Sequence, residues 1–147
     1  MNPNGESDFI PSNLYNQIMK LIPIVSVEAI IVMDKELLFL RRNNQPAKGE
    51  WWFAGGRMRI GESFEQTLHR EVKEETGLEI SSQRFINVYS RVFPQRHDIT
   101  IAFLCKCKEG KVTLDSEHSE YGFFRNLPAG LNSYLLEIIR DSQWENI

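Results

Sequence analysis

The sequence predicts an α/β protein in which helices cover a mixed β-sheet. Apolar runs of strand length occupy residues 24–33, 85–93 and 99–107, and an amphipathic helical pattern over residues 64–76 lies between the first run and the other two. A second helical pattern follows near the C-terminus. Helices interspersed with buried strands are typical of layered domains, so the expected arrangement is an α/β/α sandwich.

The 147 residues are expected to form one domain over residues 12–147, preceded by a flexible segment of residues 1–11. The net charge of −3 argues against a broad surface for polyanions, so long nucleic acid is not an expected partner. The first residues lack the pattern of a signal peptide, and no apolar stretch approaches 18 residues. We therefore expect a cytoplasmic protein that does not enter a membrane.

The first two elements are predicted to be a helix and a buried strand. The helical pattern begins at Ser12 and stops before Pro23, and this helix is expected to cover a sheet edge or to meet a second subunit in a homodimer. Residues 24–33 are β-branched and almost all apolar, as in a strand buried on both faces. The exception is Glu28, which must be paired if it is buried. It is either a substrate-binding residue or half of a structural ion pair.

A hairpin and a short aromatic strand are predicted next. A tight turn joins the first strand to a second over residues 36–40, and the arginines that follow, Arg41 and Arg42, are expected to point to opposite faces. After a loop, Trp51 and Trp52 form a short strand. Their rings either belong to the core or stack on a nucleotide base.

A helix is predicted over residues 64–76. Ser63 and Gln66 have the spacing of a capping box, and Gly77 supplies the left-handed residue that ends a helix. The two glycines before this segment, at 55 and 56, indicate a turn that feeds the helix.

The C-terminal half of this helix carries three carboxylates on one face. Glu71, Glu74 and Glu75 stand at i, i+3 and i+4, where they repel one another. The helix dipole disfavours each such charge by about 0.3–1 kcal/mol. A divalent cation such as Mg²⁺ accounts for three converging oxygen ligands. The alternative is a solvated charged face.

The second half of the chain is predicted to add strands and a covering helix. Residues 85–93 and 99–107 form an antiparallel pair, residues 110–114 a turn with a short edge strand, and residues 121–125 a last strand. A final helix is indicated by apolar residues at helical spacing, namely Leu131, Leu135, Ile138 and Ile139.

The segment from Gly56 to Leu78 is one continuous motif. It reads glycine, five residues, glutamate, seven residues, then Arg-Glu-apolar-any-Glu-Glu-any-Gly-apolar, and it resembles the complete signature of the Nudix hydrolases. The resemblance implies a Nudix-type α/β/α sandwich with a mixed sheet. It also implies a hydrolase that uses Mg²⁺, with Mn²⁺ as an alternative, and acts on a nucleoside diphosphate linked to another group.

The same resemblance assigns roles within the motif. Glu71 and Glu75 are implied to be metal ligands or the base, and Glu74 an additional metal ligand. The backbone carbonyl of Gly56 is implied to bind the metal. Arg70 is implied to orient the site by pairing with the first glutamate of the motif.

A second resemblance involves the residues before the motif. The pattern Arg-any-Asn-any-Pro-Ala-any-Gly-any-Trp begins at Arg42 and runs into Gly-Gly-Arg, which ends at Arg57. It is similar to the GDP-mannose mannosyl hydrolase branch of the family, which implies that Arg42, Arg57 and Arg70 contact the diphosphate or stabilise the leaving group. A guanidinium can hold two phosphate oxygens at once. The alternative for Arg42 and Arg57 is a surface ion pair.

The loop before the last strand contains two further candidates. By the same resemblance, His118 aligns with a catalytic histidine, and Glu117 with a residue that completes the metal shell. Histidine suits a general base because its ordinary pKa of about 6.5 lies near working pH. The alternative is an exposed loop histidine.

The leading functional prediction is a Mg²⁺-dependent hydrolase of a nucleotide sugar such as GDP-mannose, with water attacking either the sugar carbon or phosphorus. The mannosyl hydrolase branch typically lacks part of the glutamate set, which is complete here. A pyrophosphatase for ADP-ribose or nucleoside triphosphates is therefore the second prediction. A non-catalytic module that binds nucleotides and regulates a partner is the third, although such a module is expected to lose acids of the motif.

Overall fold

The structure is a computed structural model that describes residues 10–45 and 47–147. Most of the predicted flexible segment of residues 1–11, and Pro46 of the flanking pattern, lie outside the described residues. Within the described part of the chain, no helix is long and apolar enough to cross a membrane. The elements in chain order are α1 (Ser12–Leu21), β1 (Ile24–Met33), β2 (Glu36–Arg42), β3 (Trp51–Trp52), β4 (Ala54–Arg57), α2 (Phe64–Thr76), β5 (Ile80–Val92), β6 (His97–Cys107), β7 (His118–Phe124), α3 (Ser133–Ser142) and a 3₁₀-helix (Trp144–Asn146).

The strands of the described residues form one mixed sheet with β1 at its centre. Strand β1 pairs in parallel with β6, from Ile24 opposite Asp98 to Val32 opposite Lys106, and antiparallel with β2 and β4. Strand β5 pairs with the other side of β6, and both β3 and β7 pair with β2. The predicted mixed sheet is therefore confirmed.

Two apolar layers cover the two faces of the sheet. On one face, Val27 and Ile31 of β1 belong to the same core cluster as Leu68 and Val72 of α2. On the other face, Ile30 belongs to a cluster that includes residues of α3. Strand β1 alternates between the two layers, which explains why its sequence is apolar at nearly every position. The α/β/α arrangement is confirmed.

Helix α2 begins and ends where the sequence predicts. The Ser63 hydroxyl accepts a hydrogen bond from the Gln66 backbone N–H at 3.1 Å, and the Gln66 side chain accepts one from the Ser63 N–H at 2.8 Å. At the other end Gly77 has φ of 74°, and its N–H donates to the Lys73 carbonyl at 2.9 Å. These local contacts set the length of the helix before tertiary packing is considered.

The predicted edge strand over residues 110–114 is wrong. The Thr113 N–H donates to the Thr76 carbonyl at 2.7 Å, and Val112 packs in the core beside Leu78. The segment thus supplies a hydrogen bond and apolar contacts to the end of α2 instead of joining the sheet. Strand β7 begins at His118, earlier than the predicted residue 121, because its pairing with β2 extends to Arg42.

Helix α1 lies at one side of the sheet with none of its residues buried. The Tyr15 ring lies 5.9 Å from the guanidinium carbon of Arg57, and Met19 lies beside Arg96. The helix therefore reaches arginines that border the cleft described below. The predicted homodimer stays a prediction.

Candidate active site

A cleft of about 580 Å³ opens between β4, the C-terminal half of α2 and the loop before β7. Its volume lies within the range of small-molecule sites. The walls include all the residues predicted to bind metal and the two flanking arginines, namely Arg42, Gly56, Arg57, Glu71, Glu74, Glu75 and Glu117.

Glu75 is the most deeply buried carboxylate of the cleft, with 4% of its surface exposed. One of its oxygens accepts a hydrogen bond from the Gly55 backbone N–H at 2.9 Å. Burial, together with the negative charge of Glu71, raises the pKa of the Glu75 carboxyl well above its ordinary value. A positive charge near Glu75 would therefore stabilise its ionised carboxylate.

Glu71 lies directly against the backbone of Gly56. A Cβ atom at residue 56 would stand 2.7 Å from the Glu71 carboxyl carbon, so a side chain at this position would displace the carboxylate. Burial raises the pKa of Glu71, while the guanidinium of Arg70 acts in the opposite direction. The close approach of carboxylate and backbone explains the glycine in the motif.

Arg70 links Glu62, which precedes α2, to Glu71 within the helix. Its Nε and Nη2 atoms donate to the two oxygens of Glu62 at 2.6 and 2.9 Å, and its Nη1 donates to Glu71 at 2.6 Å. Hydrogen bonds from Arg70 lower the pKa of Glu62 to about 2. The pairing of Arg70 with the first motif glutamate agrees with the implied orienting role.

The nitrogens of Arg70 are all engaged with protein acceptors, and contact of Arg70 with phosphate stays a prediction. Its remaining N–H groups point to the Arg57 carbonyl at 3.1 Å and to Glu74 at 3.4 Å, so all three nitrogens are turned toward protein acceptors. Diphosphate contact by Arg70, which the flanking pattern implied, would require these bonds to break.

Glu74 differs from the other two glutamates of α2 because its side chain is 49% exposed at the rim of the cleft. It lies 4.0 Å from Arg59 and 3.4 Å from Arg70. The three carboxylates that share one helix face are thus divided between two that point inward and one at the rim.

Glu28 forms a buried ion pair. The Nη2 atom of Arg91 lies 2.6 Å from one carboxylate oxygen, which also accepts the indole N–H of Trp52 at 2.9 Å. Arg91 is 2% exposed. The sequence interpretation did not identify it as the partner of Glu28, because 63 positions separate the two residues. The structural alternative for Glu28 is observed, while substrate binding by Glu28 stays a prediction.

The two tryptophans of β3 have structural partners. Trp52 is buried in the core, whereas the Trp51 ring packs edge-on against Phe124 and lies under Arg41 at 4.3 Å. These contacts favour the core interpretation over base stacking.

The adjacent arginines at the end of β2 point to opposite faces, as predicted. Arg41 pairs with Glu120 at 2.6 Å on the outer surface, and Arg42 lines the cleft. Burial lowers the pKa of Arg42. Arg41 thus forms a surface ion pair, and phosphate contact by Arg42 stays a prediction.

Arg96 is a cleft residue that the sequence interpretation did not single out. Two of its nitrogens donate to the carboxylate of Asp98 at 2.6 and 2.9 Å, which fixes the guanidinium at the cleft wall. Its position in a loop between two strands gave no periodic signal.

The loop before β7 brings Asp115 to the cleft wall, with His118 packed behind it. His118 is 5% exposed, so the alternative of an exposed loop histidine is wrong. Its Nδ1 lies 2.8 Å from an oxygen of Asp115, another residue that the sequence interpretation missed. The backbone N–H of Asn43 donates a hydrogen bond to the Glu117 carbonyl at 2.8 Å, which holds this loop in position. The base role of His118 stays a prediction.

The donor set at the cleft fits a hard divalent cation. Glu71 is half-buried and Glu75 buried; the Glu71 carboxylate lies close to the Gly56 backbone, and the Glu75 carboxylate accepts a hydrogen bond from the Gly55 N–H. Carboxylate and carbonyl oxygens are ligands that Mg²⁺ accepts. A bound cation would offset the desolvation and the repulsion from Glu71 that raise the pKa of Glu75.

A mixed sheet between helices, with an acid-bearing helix that follows a glycine pair, defines a Nudix-type domain. The chain belongs to the Nudix hydrolase family, and the NUDIX domain matches residues 23–130. It is 35% identical over 131 residues to an ADP-ribose pyrophosphatase of Methanocaldococcus jannaschii, covering 86% of this chain and 77% of that protein.

Two further similarities support the family and the fold. The chain is 25% identical over 134 residues to the low-salt glycan biosynthesis protein Agl8 of Haloferax volcanii, covering 86% of each protein. The crystal structure of a MutT NUDIX hydrolase from Burkholderia pseudomallei matches with a TM-score of 0.76 and 24% identity, covering 82% of this chain and 98% of that one. The latter likeness shows the fold alone.

Proposed function

We propose that the protein is a Mg²⁺-dependent hydrolase that cleaves the diphosphate of a nucleoside diphosphate derivative by attack of water at phosphorus. The observation that carries this function is the convergence of the half-buried Glu71 and the buried Glu75 carboxylates on the Gly55–Gly56 backbone. Arg42 and Arg57 border the same cleft.

The residues divide into metal-binding and orienting groups. Glu71, Glu75 and the Gly56 carbonyl would hold Mg²⁺ from the inner wall, with Glu74 and Glu117 completing the set from the rim. When bound, Mg²⁺ neutralises the diphosphate and acidifies a water molecule. Arg70 would keep the Glu71 carboxylate in place through its ion pairs with Glu62 and Glu71.

The substrate would be bound and activated by the remaining residues of the cleft. Arg42 and Arg57 would hold the diphosphate, because guanidinium groups match phosphate geometry. A glutamate of the motif, or a carboxylate of the loop at residues 115–117, would accept the proton of the attacking water.

Two substrate classes are the first to test. The relatives named above are an ADP-ribose pyrophosphatase and a glycan biosynthesis protein, so ADP-ribose and nucleotide sugars such as GDP-mannose are the leading candidates. Attack at the sugar carbon is the second mechanism, favoured by the flanking pattern. It is less well supported because the mannosyl hydrolase branch typically lacks part of the glutamate set, which is complete here.

Product identification separates these mechanisms. GDP-mannose and ADP-ribose are incubated with Mg²⁺ in ¹⁸O-labelled water, and the products are identified by mass spectrometry. Attack at phosphorus gives GMP with mannose phosphate, or AMP with ribose phosphate, and places ¹⁸O in a phosphate. Release of GDP with labelled mannose would instead establish attack at carbon.

A control variant guards against a contaminating hydrolase. Glu65 lies on α2, like Glu75, but is exposed away from the cleft. Glu65→Gln should retain turnover, whereas Glu75→Gln should lose it. Failure to cleave any nucleotide of a broad panel would leave the regulatory binding module as the better function.

A further inference from the structure

Three side chains from two separate segments meet beside the inner wall of the cleft. They are Glu75 of α2, Asp115 of the loop and His118 at the start of β7, and their ligand atoms lie within 4.8 Å of one another. Glu75 belongs to the Nudix motif. Asp115 and His118 are brought to it by the hydrogen-bonded loop.

The distances suit a common metal ion. Metal bonds of about 2.0–2.2 Å to nitrogen and oxygen place neighbouring ligands about 3 Å apart. The Nδ1 atom of His118 and the Oδ1 atom of Asp115 are 2.8 Å apart. An ion could therefore take the place of the proton shared by these two atoms without a large movement of either side chain.

The site is both enclosed and reachable. Glu75 and His118 are 4% and 5% exposed, so a bound ion would be shielded from bulk water on one side. Glu75 and Asp115 also line the cleft, which gives the ion a route from solvent.

The charge around the three ligands favours a cation. Glu75 accepts a hydrogen bond from the Gly55 N–H, and Asp115 accepts one from the Glu117 N–H. These partners are neutral backbone groups. Arg42 is near enough for its charge to act on Glu75, but Glu71 and Glu117 add negative charge to the same region.

We propose that Glu75, Asp115 and His118 form a binding position for a divalent transition-metal ion such as Mn²⁺, Co²⁺ or Zn²⁺, with an imidazole nitrogen as one ligand. Mg²⁺ prefers oxygen ligands, whereas imidazole suits transition metals. The position shares Glu75 with the proposed Mg²⁺ set, so an ion bound here lies beside the hydrolytic centre. Binding of such an ion does not depend on which substrate the enzyme hydrolyses.

The direct test is electron spin-echo spectroscopy of the full chain with one equivalent of Mn²⁺. The wild-type protein should show ¹⁴N modulation from a histidine ligand. His118→Gln should abolish the modulation and weaken Mn²⁺ binding about 10-fold or more. The matched control is His69→Gln, because His69 is exposed on α2 and contacts Gln83, and it should leave the modulation unchanged.

Two further variants keep the result independent of folding and of hydrolysis. Asp115→Asn should weaken Mn²⁺ binding even if His118→Gln does not fold. Glu71→Gln should weaken Mg²⁺-dependent turnover yet retain the ¹⁴N modulation. Absence of ¹⁴N modulation in the wild-type protein, or its persistence in His118→Gln, would overturn the nitrogen-ligated site while leaving the proposed hydrolase function intact.

Discussion

Glu28 and Glu75 are buried to the same extent but have opposite electrostatic surroundings. They are 5% and 4% exposed and lie on two sides of Gly55: a Cβ at residue 55 would stand 2.8 Å from the Glu28 Cγ atom, and the Gly55 N–H donates to Glu75. Glu28 is paired with the guanidinium of Arg91, whereas the charge of Glu71 acts against that of Glu75. Burial alone therefore does not distinguish a structural acid from a functional one.

The different partners of Glu28 and Glu75 indicate which of the two carboxylates is structural and which is available to a metal ion. A buried carboxylate is costly unless a positive charge compensates it. In the Glu28 pair that charge is a permanent side chain, so the pair needs no bound ion. Glu75 is desolvated and lies beside the charge of Glu71, which raises its pKa, and an exchangeable cation would offset both effects.

The largest expected effect comes from breaking the permanent pair. Arg91→Met should lower the free energy of unfolding by about 3–5 kcal/mol, because it leaves the Glu28 charge buried without its partner. Urea denaturation measures the loss. The control is Arg41→Met, which removes an exposed pair with Glu120 and should cost about 0–1 kcal/mol.

A double variant completes the Arg91 experiment. Glu28→Gln combined with Arg91→Met removes both charges and should recover much of the stability lost in the single variant. If Arg91→Met is no less stable than Arg41→Met, Glu28 does not depend on a fixed cation and the contrast with Glu75 fails.

Removal of the Glu75 charge should affect activity more than stability. Glu75→Gln is expected to lower kcat/KM by about 10²–10³-fold, which corresponds to about 2.7–4 kcal/mol of transition-state stabilisation. Steady-state kinetics with Mg²⁺ and the best substrate measure this loss. The metal-free variant should unfold at no lower urea concentration than the metal-free wild type, since a buried repulsive charge has been removed. Full activity would exclude Glu75 from the metal site.

Addition of Mg²⁺ should stabilise the wild-type protein through Glu75. At a concentration 100-fold above the dissociation constant, the free energy of unfolding should rise by about 2.7 kcal/mol. Thermal denaturation with and without Mg²⁺ measures the rise. Arg91→Met should still respond to Mg²⁺, and Glu75→Gln should respond much less. An equal response in all three proteins would place the ion elsewhere.

The smallest expected effect concerns the N-terminal cap of α2, which contacts neither Glu28 nor Glu75. Ser63→Ala should lower the free energy of unfolding by about 1 kcal/mol, because the capping bond to Gln66 is lost. Ser82→Ala, at an exposed serine of β5, should change it by less than about 0.5 kcal/mol. The cost of Ser63→Ala should add to that of Arg91→Met. Strong non-additivity in urea denaturation would reveal coupling between the cap and the buried pair.

The parts of the fold that were predictable depend on short stretches of chain. The bounds of α2 follow from Ser63, Gln66 and Gly77, all of which act within a few residues of the helix. The buried nature of β1 follows from its continuous apolar sequence. In contrast, residues 110–114 have a strand-like composition, yet they bond to the end of α2. Composition does not reveal which partner a backbone N–H will find.

The residues of the site were also predictable where they belong to a short stretch of chain. The acids of the motif and the two flanking arginines line the cleft as expected. Asp115, Arg96 and Arg91 were missed because each acquires its position from tertiary packing or from a loop without a periodic pattern. The pairing of Glu28 with Arg91 joins β1 to β5, although β6 lies between these strands in the sheet.

By itself, the sequence determined that Glu71, Glu74 and Glu75 would share one face of a capped helix, because helical geometry places residues i, i+3 and i+4 together. Only the tertiary structure decided which of them would be buried. Strand β4 presents its glycine backbone to Glu71 and Glu75 and leaves Glu74 at the rim. The helical repeat sets which side chains are neighbours, whereas desolvation depends on what the rest of the chain packs against them.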